Sequence, residues 1–104
     1  MIQDPDYARI FTKARCKAWQ CGYALSFHGT GTRDLDLLAV PWVDEIQSVA
    51  NLVTSIADAC DLSIQGPPKT QPHNRKTWTL IFKEFGDPRW VDLSVICVKD
   101  DEDE

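Results

Sequence analysis

Residues 28–42 read HGTGTRDLDLLAVPW. Gly29 and Gly31 mark a tight connection after the short apolar run YALSF, residues 23–27. A connection this short between two strands favours an antiparallel hairpin over a crossover. Strand side chains alternate between faces, so Asp34 and Asp36 share one face while Leu35 and Leu37 share the other. If the leucines point into a core, both aspartates lie on the opposite, open face.

The same alternation recurs near the end of the chain. In WVDLSVICV, residues 90–98, Asp92 and Ser94 share one face and Val91, Leu93 and Val95 the other. Before it, RKTWTLIFKEF (75–85) reads as a strand and GDPR (86–89) as a turn, so the last two strands form a hairpin. Trp78 alternates with Leu80 and Phe82 and belongs to the core; Trp90 sits at the rim or core, with stacking on a base as the functional alternative.

Two helices complete the set. Tyr7, Ile10, Phe11, Ala14, Ala18 and Cys21 recur at helical spacing behind a capping Asp6, and Gly22 ends the run. A second helix is expected behind Asp44, with Ile46, Val49, Ala50, Val53, Ile56, Ala57 and Cys60 on one face. SIQGPPKTQPHN, residues 63–74, reads as a loop because of its glycine and prolines. The fold class that follows is α+β. It is a two-layer sandwich of about four mostly antiparallel strands, with both helices on one face. Residues 1–99 form a single domain, and an edge strand leaves a homo-oligomer open.

Composition narrows the function. The 104 residues are 43% hydrophobic and 26% charged, an ordinary globular balance. The net charge of −5 comes from the DDEDE end, residues 100–104, without which acids and bases balance at 11 each. That end reads as a disordered, solubilising tail. There is no broad basic face for duplex nucleic acid, no apolar run of membrane length and no basic leader. The expected location is the cytoplasm, the host's if the gene is viral. Cys16, Cys21, Cys60 and Cys97 form no C-x-x-C pair and read as reduced, packed thiols. Walker A, dinucleotide-fold, zinc and Ser-His-Asp patterns are missing from the sequence.

The chemistry therefore rests on Asp34, Asp36 and Asp92. If the second and last strands are neighbours, three carboxylates gather on one face and repel one another, each raising its neighbours' pKa. A divalent cation removes that cost; Mg²⁺ favours one or two carboxylates plus water and phosphate. Around them, His28 and Arg33 flank the glycine turn, and Lys69, His73, Arg75 and Lys76 make an acid-free stretch suited to clamping an anion. The plainer reading is a wet sheet face, its aspartates paired with Arg33, Lys76 or Arg89.

A strand, Gly29-Thr30, a D-x-D strand, a helix and a later strand with one aspartate resemble the nucleotidyltransferase superfamily typified by polymerase beta. The chain is similar in particular to its minimal prokaryotic members, over roughly His28 to Val95. The resemblance implies Asp34 and Asp36 as ligands of Mg²⁺ (or Mn²⁺). It implies Asp92 as third carboxylate or base, and Gly29 and Thr30 beside the triphosphate. The expected activity is transfer of a nucleoside monophosphate to a hydroxyl. Only Gly31, Thr32 and Arg33 separate Thr30 from Asp34, so the helix that the family opens there is missing. The stretch also looks like an "HGS…RDLDLIAVPW" segment of small phage and prophage proteins. The alternative is thus a non-catalytic phage protein that sequesters a nucleotide immune signal, a cyclic oligonucleotide or NAD derivative, to block host defence.

Overall fold

A computed structural model describes residues 2–29 and 33–98. The acidic end and Thr30 lie outside the described residues. The order is α1 (Pro5–Gln20), β1 (Tyr23–His28), β2 (Leu35–Pro41), α2 (Val49–Cys60), β3 (Leu62–Gln71), β4 (Arg75–Phe82) and β5 (Trp90–Ile96). One mixed sheet runs β1-β2-β5-β4-β3. Every neighbouring pair is antiparallel except β2 and β5, which are parallel. Parallel pairing is possible because α2, β3 and β4 all intervene between them.

The stripes expected from periodicity meet in one core, except that Ala50 is exposed. Tyr7, Ile10, Ala14 and Ala18 of α1 join Leu52, Val53 and Ile56 of α2 over Leu35, Leu37, Leu80, Val91, Leu93 and Val95 of the sheet. Trp78 packs against this core but stays partly buried.

Three local expectations change. Asp4, not Asp6, caps α1: its Oδ1 accepts from the Asp6 and Tyr7 amides, and Pro5 takes the first helical position, which needs no amide donor. Ser48, not Asp44, caps α2, its Oγ accepting from the Asn51 amide, so Ile46 precedes the helix.

Residues 62–71 are a fifth strand rather than a loop. It pairs with β4 from Leu62 to Gln65 and again from Lys69 to Gln71, with an irregularity between. Gly66, Pro67 and Pro68 fill that irregularity. Because β3 is an edge strand, prolines lacking an amide donor cost it no second ladder.

The segment 69–76 is accordingly a hairpin. Pro72, His73 and Asn74 form its turn, with His73 and Asn74 at positive φ. Among the cysteines, Cys21, Cys60 and Cys97 are buried as expected, but Cys16 faces outward from α1 and is exposed. Trp42 lies just past β2, exposed and stacked on Trp19 at 4.6 Å.

Candidate functional site

The parallel pairing of β2 with β5 builds the site. It brings the starting ends of both strands together, and each carries its aspartates near that end. Asp36 stands opposite Asp92 on one side and His28 on the other; Asp92 in turn faces Thr79 of β4. One row across the open face thus reads His28, Asp36, Asp92, Thr79. The next reads Ser26, Leu38, Ser94, Thr77. Asp34, just before β2, reaches the same face. Ligand oxygens of Asp34, Asp36 and Asp92 all lie within 4.8 Å of one another, and all three residues are half-buried.

Side chains around the cluster fix Asp92. Thr79 Oγ1 donates to Asp92 Oδ1 at 3.3 Å, and Trp90 Nε1 donates to Asp92 Oδ2 at 3.1 Å. Below the sheet, the fully buried Tyr7 has its hydroxyl 2.9 Å from the Arg33 carbonyl and 3.2 Å from that of Trp90. This one group ties together the entries of both carboxylate-bearing strands.

Electrostatics matches the crowding. Burial pushes the Asp36 carboxyl above its ordinary range, the charges of Asp34 and Asp92 push it further, and His28 works the other way. Among the described residues no ion pair reaches the three aspartates. Arg89, one of their expected partners, instead bonds Asp4, Asp6 and Asp87 at 2.8–3.0 Å, its guanidinium 4.4 Å over the Phe82 ring. Those carboxylates hold it above the usual arginine range.

A hollow of about 320 Å³ opens beside the cluster, lined by His28, Asp36, Asp92, Ser94, Thr77 and Arg75 among others. Arg75 is half-buried, and its Nε has no hydrogen-bond partner among the described residues. A guanidinium lining the hollow gives it a cation suited to an anionic ligand group.

The other expected donors are spread out. Lys76 pairs in register with Val95, whose side chain is in the core, so it points toward the helix layer and away from the aspartates. Alternation separates it from its neighbour Arg75. His73 is exposed at the hairpin turn. Gly29 takes φ +74° at the end of β1, where added side-chain carbon would meet open space. Arg33 is exposed and contributes its carbonyl to Tyr7.

Sequence reasoning missed Thr79 and Trp90 as supports of Asp92. The signal was present: both lie in phase with Asp92, Trp90 two residues before it and Thr79 on the alternating strand of the same hairpin. Tyr7 could not be found this way, because its role depends on which strands lie side by side. Comparison with models of known protein families, with curated proteins and with solved structures gives no match.

Proposed function

We propose that the open sheet face binds a nucleotide through a divalent cation held by Asp34, Asp36 and Asp92, in the manner of a minimal nucleotidyltransferase. The observation that carries this reading is three carboxylates within 4.8 Å of one another, with no cationic side chain paired to them among the described residues. Such a group is costly without a counter-charge, and hard oxygen ligands suit Mg²⁺ or Mn²⁺. Bound there, the ion would neutralise phosphate charge and lower the pKa of an attacking hydroxyl.

The chain's own groups have distinct parts in this reading. Arg75 and His28 meet phosphate oxygens on the side of the hollow away from Trp90. Thr79 and Trp90 hold both oxygens of Asp92, leaving its remaining lone pairs directed at the ligand. Asp92 is the base for the incoming hydroxyl or the third metal ligand. The hydroxyl oxygen attacks the α-phosphorus as the α–β phosphoanhydride bond breaks, so the products are a hydroxyl compound carrying a nucleoside monophosphate, and pyrophosphate.

Labelled nucleoside triphosphates incubated with the protein and Mg²⁺ or Mn²⁺ test this directly. A labelled acceptor or self-modified chain is expected, and Asp36→Asn removes both product and nucleotide binding. Absence of any product, together with undiminished nucleotide binding by Asp36→Asn, sinks the proposal.

One observation favours a second reading, binding without turnover. Among the described residues, the first helix after β1 is α2, which begins beyond the far end of β2. No described helix start lies beside the aspartates to cradle a triphosphate. In that case the protein sequesters a nucleotide-derived signal. Ligand recovered unchanged after prolonged incubation distinguishes the two.

A further inference from the structure

The carboxylate cluster has a second hollow on its other side. It measures about 450 Å³ and is lined by Trp90, Ile81, Thr79 and Gln65 on the open face and by Phe85 in the loop above. Trp90 and Thr79 line it while donating to the two oxygens of Asp92, which itself lines the first hollow. Asp92 with its two donors, Thr79 and Trp90, therefore stands between the hollows. The register places Trp90 opposite Ile81, one row beyond the Asp36–Asp92–Thr79 row. A step of two strand residues sets that row about 7 Å from the carboxylates.

The two hollows differ in character. The first is lined by the guanidinium-bearing Arg75 and by His28, which stands across from Asp36. In the second, the cations are already engaged: Arg89 with Asp4, Asp6 and Asp87, and Lys83 with Asp61 at 3.2 Å. Beside polar groups such as Gln65 and Glu84, the second hollow offers flat apolar surface. Phe85 is fully exposed over it, and Trp90 and Ile81 form its half-buried floor. A ligand touching both must be anionic at one end and planar and apolar at the other.

We infer that the second hollow holds the base of the bound nucleotide, stacked by Trp90 and Phe85, while the phosphates cross the aspartates toward Arg75. This rests on the nucleotide reading above and fixes the ligand's direction on the sheet. Recognition through aromatic faces tolerates all four bases. The site is therefore selective for a nucleotide over a bare polyphosphate rather than for one base.

Calorimetric titration of the full chain tests it with two kinds of probe: each of the four nucleoside triphosphates with Mg²⁺, and Mg²⁺-tripolyphosphate, which has no base. Phe85→Ala is the main variant, because a fully exposed side chain can be truncated without unfolding the domain. It is expected to weaken the nucleoside triphosphates roughly tenfold and to leave tripolyphosphate unchanged. Phe85→Tyr, which keeps the ring, restores the parent affinity. Arg75→Gln weakens both kinds of probe. If Phe85→Ala changes neither probe, or both equally, the base does not lie in the second hollow, although the nucleotide reading stands. If the parent protein binds neither probe, that reading falls and the assignment falls with it.

Discussion

Replacing Asp36 by Asn should make the protein more stable, because the carboxylate sits half-buried among like charges. The oxygens of Asp34, Asp36 and Asp92 lie within 4.8 Å of each other. At that separation two unit charges repel by about 0.9 kcal/mol at the dielectric of water and about 3.5 kcal/mol at an effective value of about 20. Asp36 sits between these limits, half-buried, and repels two neighbours. Water, salt and small relaxations screen most of this, leaving a realised gain of about 1 kcal/mol. For a domain of this size that is a rise in Tm of about 4–8 °C.

The pH dependence gives the sign. Asp36's folded-state pKa is raised above its unfolded value, so its ionised form costs stability above the folded pKa. That cost fades as pH falls through the folded pKa and is gone below the unfolded value of about 3.9. The advantage of Asp36→Asn should therefore be largest at neutral pH and shrink toward pH 4. Thermal melts by circular dichroism, in low salt with chelator, at pH 7.5 and pH 4 read it out. If Asp36→Asn melts at or below the parent temperature at pH 7.5, or its advantage persists undiminished at pH 4, the repulsion argument is refuted.

Other parts of the structure carry their own tests. Tyr7→Phe removes a buried hydroxyl that two carbonyls share, and should cost about 1–2 kcal/mol in chemical denaturation while weakening Mn²⁺ binding more than other core changes of equal cost. Arg89 holds the Asp6 and Asp87 carboxyls below the usual range, which adds stability above their unfolded pKa and loses it as pH falls through the folded value; Arg89→Met should lower the melting temperature at pH 7 and flatten that acid limb. Burial pushes the Cys60 thiol up to about 11, whereas Cys16 is exposed, so a thiol reagent at pH 8 should modify Cys16 first and Cys60 only after unfolding, as peptide mapping would show. Gly22→Ala meets the Ile46 Cγ2 at 2.8 Å and demands φ +94° of a residue with a side chain, and should lower the melting temperature sharply.

Much of this architecture was legible because it rests on period. The helical spacing from Tyr7 to Ala18 and from Val49 to Cys60, and the alternation around Asp36 and Asp92, each report a buried face directly. What escaped has a physical reason in each case. The run Gly66-Pro67-Pro68 reads as a loop, yet an edge strand tolerates it by bulging. Asp44 and Asp6 have the chemistry of a cap, but Ser48 and Asp4 are the residues whose oxygens reach free amides. The acid-free stretch 69–76 looks like one clamp in composition, but strand alternation puts Arg75 on the aspartates' face and Lys76 on the opposite one. Arg89 is close in sequence to Asp92, yet it serves the start of α1, a choice set by tertiary packing alone.

The central claim is that the three aspartates hold a divalent cation. Amide spectra of isotope-labelled protein during titration with Mn²⁺ test it most directly, since the paramagnetic ion broadens signals near its site. The acidic residues 100–104 are an internal rival for the same ion. The account predicts that amides of residues 34–37 and 91–93 broaden first and that Asp36→Asn abolishes this while leaving residues 100–104 unaffected. Broadening confined to residues 100–104, with the open sheet face untouched, would contradict it.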